Sequence, residues 1–327
     1  MTANQANTDV IRTHIIKQLA VGDFCSGEAL GEQLGISRAA VSNHIKLLSE
    51  LGLDIYSVQG KGYRLASPLI LLDKSKILAL LAHPKEAQLT VLNVIDSTNQ
   101  FIKEHQSDLS NGSVCLAEAQ TAGRGRLGRR WVSPYGASMY LSMHWTFPAG
   151  YQTIGGLSLA VGVAIINALK KIGVADAKLK WPNDIYVLGK KLAGVLIEVE
   201  GQIGAACHCI IGIGINVKLP QTNLPIDQPY IDINSVITKE VDRNEFAAVL
   251  IDELLSTLTL FESKGLAPFV AQWRAADVYA NQTINLIIGQ TVTSGIARGI
   301  SDNGALLVET DIGIRAFQGG EISVRPA

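Results

Sequence analysis

The hydrophobic period changes along the first 66 residues, and that change constrains the fold more than any other feature. Val10, Ile11, His14, Ile15 and Leu19 share one face at helical spacing. Ser26 then stands as a helix cap ahead of Ala29, Leu30 and Leu34, and Gly35-Ile36 breaks that helix. Ser37 caps the next one, in which Ala40, Val41, Ile45 and Leu48 can face inward. After Gly52 the period falls to two, with Asp54–Val58 and Gly62–Leu65 flanking a turn that contains Gly60-Lys61. Short helices followed by a hairpin describe a winged helix-turn-helix over residues 1–66, and Ser67-Pro68 reads as a linker.

In that geometry the second helix of the motif enters the major groove with its N-terminal residues foremost. Ser37, Arg38, Ser42 and Asn43 lie there, with Lys46 one turn on. Arg bonds guanine through two donors, Asn pairs with adenine and Ser reaches phosphate. Lys61 and Arg64 on the hairpin add phosphate contacts. Residues 1–66 hold six basic and six acidic side chains, so the unit is neutral overall, but no acid occurs between Glu32 and Glu50. The residues fit a DNA reader or a helical docking module. A neutral reader needs a second copy for useful affinity.

Residues 67–275 mix strands with helices. The strand-like stretches are 89–95, 113–118, 139–146, 177–180, 185–188, 195–200 and 205–213, and helices are expected over 155–172 and 243–264. Irregular alternation favours a mixed α+β sheet. From residue 276 the pattern becomes short strands (283–288, 291–300, 305–309, 313–318) between Gly and Asn, as in a small β-barrel. A 47% hydrophobic chain can bury such cores, and a net charge of −1 excludes a globally basic protein. Four scattered cysteines, a polar Met1–Asp9 and no long apolar run predict a cytoplasmic protein without a membrane span.

Two stretches carry chemistry. Gly123–Trp131 packs four arginines and three glycines into nine residues, and no acid occurs between Glu118 and Asp176. Glycines let backbone wrap a ligand, and arginine forks grip phosphate or carboxylate. By itself the stretch also fits a solvated loop or an RNA-binding segment. It is not a P-loop, and Gly212-x-Gly214 lacks the third glycine of a dinucleotide fingerprint. The second stretch is Lys180-Trp181-Pro182-Asn183-Asp184, with Lys191-Leu192-Ala193-Gly194 ahead of an apolar strand. Lys191 is expected just before that strand, at the mouth of an apolar slot. Cys207-x-Cys209 in an alternating strand reads as structural, and no metal-ligand set is expected.

Lys-Trp-Pro-Asn-Asp with Lys-Leu-Ala-Gly, the Gly-Arg-Gly-Arg-x-Gly-Arg loop and Asp96-Ser97-Thr98-Asn99 together resemble the bacterial biotin protein ligases. Ser-Arg-Ala-Ala and the Gly-Lys-Gly-Tyr wing resemble their bifunctional form, the biotin operon repressors. The likeness runs from about Ile11 to Arg325, with the motifs in order.

The resemblance implies an α+β multidomain protein: an N-terminal winged helix-turn-helix, a central mixed-sheet ligase domain (67–275) and a C-terminal SH3-like β-barrel (276–327). It implies MgATP and biotin as substrates, with biotinyl-5′-AMP as intermediate and corepressor. The implied partners are a biotin carboxyl carrier protein of acetyl-CoA carboxylase, operator DNA of the biotin operon, and a second copy of the chain. On the matching positions Ser97, Thr98, Asn99 and Gln120 would hold the biotin head group. Arg124, Gly125 and Arg126 would close over ligand, Lys191 would meet the carboxylate or acyl phosphate, and Gly194 and Trp131 would contact substrate. Lys180 and Asp184 are expected to be phosphate, metal or lysine-orienting groups. Residues 218–230, with three prolines, match the adenine-side loop loosely. The rival readings are a ligase whose winged helix is only structural, a biotin sensor without ligase activity, and a lipoate ligase.

Overall fold

The computed structural model describes residues 3–83, 88–202, 204–221, 224–319 and 322–327, with side chains from Val10 onward. Part of the polar Met1–Asp9 stretch and residues 222–223 of the 218–230 loop lie outside the described residues.

Helix α1 (Ala3–Ala20) buries Ile15, Ile16 and Leu19. Val10, expected on that face, is 66% exposed, and His14 instead sits at the helix flank, bonded to Gln33 at 3.1 Å. Ser26 caps α2 (Gly27–Leu34) by accepting from the Ala29 amide, and Gly35 ends it in the left-handed conformation. Ser37 caps α3 (Arg38–Glu50) through the Ala40 amide, and Val41, Ile45 and Leu48 are buried. The hairpin β1 (Ile55–Val58) and β2 (Gly62–Leu65) completes the winged helix-turn-helix. Gly62 has φ +99°, and a β-carbon there would lie 2.1 Å from the Cys25 carbonyl oxygen, so the wing docks on α2's approach only through a glycine.

The winged helix is seamed to the rest of the chain. Tyr135 donates its amide to the Leu51 carbonyl at 2.9 Å, and Pro134 packs on Gly52. Ala119 and Tyr135 belong to the same apolar cluster as Ile15, Leu48 and Leu53. The Tyr135 hydroxyl bonds Asn93, whose amide reaches Thr13 of α1.

Next come α4 (Lys74–Leu80), β3 (Leu89–Ile95), α5 (Thr98–Glu104), β4 (Val114–Gln120), β5 (Ser138–Phe147) and α6 (Leu157–Lys171). They are followed by β6 (Lys178–Lys180), β7 (Asp184–Val187), β8 (Lys190–Gly201), β9 (Cys207–Asn216), α7 (Arg243–Lys264) and α8 (Val270–Ala276). The seven strands run β3-β4-β5-β9-β8-β7-β6; β3 and β4 are parallel and the other neighbours antiparallel. Successive side chains point to opposite faces. Met139, Leu141, Met143 and the odd-numbered β9 residues meet the core beneath α6 and α7. The even-numbered face carries Ser142, Glu198, Gly194, Gly212 and Gly214, and it is left to the site. Five further strands, β10 (Thr283–Ile288), β11 (Thr291–Ile300), β12 (Leu306–Thr310), β13 (Gly313–Phe317) and β14 (Ile322–Pro326), form the C-terminal sheet. Trp181 donates to the Gly304 carbonyl at 3.1 Å and ties this unit to the central one.

One buried ion pair gathers several of these pieces. Glu118 of β4 and Arg243 at the start of α7 meet at 2.6 Å with almost no exposure. Arg243 also donates to the carbonyls of Ile70 and Ser138, and Glu118 accepts from the Leu72 amide. Removing one partner strands the other charge in the core, which costs about 3–5 kcal/mol. Arg243→Met is therefore expected to lower the unfolding free energy by about that much in urea titration, more than a surface Lys178→Met change.

Candidate functional site

The site forms where the glycine-bearing strands leave the sheet bare. Gly194 of β8 lies opposite Gly214 of β9, and the Trp131 indole rests across the pair. A β-carbon on Gly214 would lie 2.4 Å from the indole, and one on Gly212 would lie 2.2 Å from Asn99 Oδ1. A cavity of about 440 Å³ opens beside them. Every residue that the sequence assigned to substrate or catalysis lines it: Ser97, Thr98, Asn99, Gln120, Arg124, Gly125, Arg126, Trp131, Lys180, Asp184, Lys191 and Gly194.

One end is neutral and hydrogen-bonding. Ser97, Thr98 and Asn99, at the start of α5, are nearly fully buried. Gln120 Oε1 accepts from the Thr98 amide (2.9 Å) and hydroxyl (3.2 Å), and Gln120 Nε2 donates to Ser133 Oγ at 3.1 Å. Ser142 Oγ lies 2.7 Å from Thr98 Oγ1 and 2.6 Å from Asn99 Oδ1. Such a cluster suits a small polar, uncharged ring.

The other end is cationic. Lys191 Nζ pairs with Asp184 at 2.8 Å and stands 5.6 Å from the Trp131 ring centroid. Arg126 donates to Asn183 Oδ1 at 2.9 Å, and burial pushes its guanidinium below the usual range. Lys180 is buried against Tyr186, whose hydroxyl accepts from it at 3.1 Å. Burial pushes the Lys180 ammonium down to about 8; Asp184 opposes this, while Arg325, Lys191 and Arg129 add to it. The loop between the two ends is a narrow hairpin. Trp131 N bonds Gly123 O and Gly125 N bonds Arg129 O, with Leu127 (φ +57°) and Gly128 (φ +71°) turning the tip.

Lys191 differs from its expected place: it lies inside β8, which begins at Lys190. The two lysines hid the start of a strand whose edge is set by backbone bonds from Lys191 N to Pro229 O and Ile231 N to Lys191 O. The same 218–230 loop brings Pro225, Asp227 and Tyr230 to the cavity rim. Ser133, Ser142, Glu198 and Arg325 were missed. For Ser142 and Glu198 the signal was a polar residue at alternate positions of an apolar strand; Ser133 and Arg325 had none.

Ser37, Arg38, Ser42, Asn43, Lys46 and Lys61 are all exposed on the winged helix, apart from this cavity. The Arg64 guanidinium lies 4.8 Å from the Phe24 ring centroid, and Lys61 Nζ 5.8 Å from it. Among the described residues no cluster of three or more metal-ligating side chains occurs, and no helix is long and apolar enough to cross a membrane. Cys207 and Cys209 are buried on the core face of β9.

Comparison with known proteins matches these parts. Residues 91–216 match the Biotin/lipoate A/B protein ligase family, residues 12–64 a helix-turn-helix domain, and residues 279–325 the biotin protein ligase C-terminal domain. The bifunctional ligase/repressor BirA of Escherichia coli K12 is 45% identical over 314 residues, 96% of this chain and 97% of that protein. The chain belongs to the biotin/lipoate A/B protein ligase family. The Bacillus subtilis BirA is 30% identical, over 93% of this chain and 95% of that protein. The structure of the Aquifex aeolicus biotin protein ligase in complex with biotin and ATP aligns at a TM-score of 0.66 and 30% identity, covering 73% of this chain and 99% of that one.

For a ligase-family cavity of this kind the Lys180 value has a measurable consequence. An anion favours the ammonium, so binding is strongest below pH 8 and weakens as the apo lysine loses its proton above it. Affinity for an anionic probe such as inorganic triphosphate is expected to fall by up to about tenfold per pH unit above pH 8. Lys180→Gln should bind more weakly at pH 7 and lose that slope, as measured by titration calorimetry across the range.

Proposed function

We propose that this chain is an ATP-dependent biotin protein ligase and, through its winged helix, a repressor controlled by its own reaction intermediate. The observation that carries the reading is the polarity of the cavity, neutral hydrogen-bonding groups at one end and clustered cations at the other. A ureido ring fits the Thr98–Asn99–Gln120 end, and its aliphatic tail fits along Leu196 beside the bare glycines of β8 and β9. Residues 1–66, 67–275 and 276–327 are assigned as the DNA-binding, ligase and C-terminal domains.

In the first step a biotin carboxylate oxygen attacks the α-phosphorus of ATP, which enters with its magnesium as part of the substrate. The bond from that phosphorus to the bridging oxygen breaks and pyrophosphate leaves. Lys191 stabilises the carboxylate and the acyl phosphate oxygen, and Asp184 holds its ammonium in place. Arg124 and Arg126 close the loop over the anhydride and exclude water. Lys180 adds charge on the phosphate side. In the second step the neutral ε-amine of a carrier lysine attacks the acyl carbon, an amide forms, the amine proton passes to solvent and AMP departs.

For repression, biotinyl-AMP orders the Arg/Gly loop and favours pairing of two copies, which sets two winged helices on an operator. Carrier protein consumes the same intermediate and so opposes repression. Arg38 and Asn43 read base edges, while Ser37, Ser42, Lys46 and Lys61 reach phosphates.

ATP–pyrophosphate exchange with biotin, and in parallel with lipoate, tests the chemistry. Exchange with biotin alone is expected; exchange with lipoate alone, or with neither acid, would overturn it. Lys191→Ala should lower biotin-dependent exchange by about 10²–10³-fold, a far larger loss than the loss of stability read by thermal melt. Arg38→Ala should weaken operator binding by about 1–3 kcal/mol in gel shift and leave exchange intact. A parallel loss of both activities would contradict the assignment of Arg38 to DNA.

A further inference from the structure

Glu198 of β8 belongs to none of the motifs, yet one of its oxygens joins the two ends of the site. Oε2 accepts from Asn99 Nδ2 at 2.7 Å and from Arg124 Nη2 at 2.9 Å. Asn99 is 4% exposed in the head-group cluster, whereas Arg124 is an exposed residue of the Arg/Gly loop. The loop's other stem is fixed separately. Ser133 Oγ donates to the Trp131 carbonyl and accepts from Gln120, which in turn holds Thr98. Thr98 and Asn99 are bridged by Ser142. A continuous chain of hydrogen bonds therefore leaves one stem of the loop, crosses the floor of the head-group pocket and returns to the other stem through Glu198.

We propose that Glu198 is a positioning residue that tethers the Arg/Gly loop to the head-group pocket, so that filling the pocket and closing the loop are one event. The inference rests on the ligase reading for the identity of the head group, but the tether itself does not. Arg124 spends one of five donors on Glu198, which leaves the rest of its fork for an incoming carboxylate or phosphate. The carboxylate also fixes the Asn99 amide with its nitrogen toward β8, and Ser142 donates to its oxygen. The tether lowers the entropy lost when the loop orders over ligand.

The arrangement separates two roles that a merely structural glutamate would not. Glu198→Gln keeps an acceptor for Asn99 and discards the charge that holds Arg124; Glu198→Ala discards both. Limited trypsin digestion of the full-length protein, with cuts after Arg124, Arg126, Arg129 and Arg130 identified by mass spectrometry, reads the loop. Biotin dissociation by stopped-flow competition reads the pocket.

Loop cleavage is expected to quicken by about three- to tenfold in both variants, the range for a charge-assisted but partly solvated contact. Biotin release should quicken in both variants, and further in Glu198→Ala, which also frees the Asn99 amide; an unchanged release rate in Glu198→Gln would show pocket and loop to be uncoupled. Added salt should speed loop cleavage in the unsubstituted protein and leave Glu198→Gln unmoved. Unchanged cleavage in both variants, with melting temperatures unchanged, overturns the tether. If the unsubstituted protein binds no biotin and cleavage still quickens, the ligase reading fails and the tether stands.

Discussion

The site depends on three positions where the sheet carries no side chain. Any β-carbon at Gly214 or Gly212 would occupy space already taken by the Trp131 indole or the Asn99 amide, and Gly194 completes the bare patch across the strand pair. Glycine weakens a strand by losing more backbone freedom on folding. Here β9 tolerates it because it is central, paired from Cys207 to Ile215 with β5 on one side and β8 on the other. The isoleucines that alternate with these glycines bury in the core beneath α6 and α7. One strand thus does opposite things on its two faces: it packs tightly below and leaves room above.

The room above is filled by cations that each lean on a fixed partner, two of them on carboxylates. Lys191 leans on Asp184, Arg124 on Glu198, and Arg126 on the Asn183 amide. Lys180 has a tyrosine hydroxyl and two aromatic rings for company, which is why burial tells on its proton affinity. The cations are held at known places by partners that an anionic substrate outcompetes or shares. Charges fixed in advance are the condition for strong electrostatic stabilisation.

Most of this was legible in sequence because the chemistry sits in contiguous motifs. Gly123–Trp131 forms one hairpin loop, and Lys180–Asp184 closes the turn between β6 and β7. The capped helices of the winged unit were equally plain, since Ser26 and Ser37 act on amides three residues away. What escaped notice depends on distant partners. Glu198 gains meaning only from Arg124 and Asn99, and Ser142 only from α5. Helix α5 was hidden because its seven residues keep Asn99 and Thr98 buried as polar groups, against the hydrophobic pattern. The last strand, Ile322–Pro326, is short and partly polar and needs β10 beside it to be a strand at all.

The seam between the winged helix and the ligase domain bears on where the protein can be cut. The Ser67-Pro68 linker looks like a natural place to divide the chain, but the contact is made elsewhere, at Leu51-Gly52 against Pro134-Tyr135 and through a shared apolar cluster. A shortened protein starting after residue 66 would bare Tyr135 and Ala119 and leave the Tyr135 amide without its acceptor. The same segment, two residues earlier, supplies Ser133 to the pocket. Truncation would therefore leave a sticky, loosened scar directly behind the hydrogen-bonding end of the cavity, so a fragment cut there is a poor stand-in for the ligase half of the whole chain.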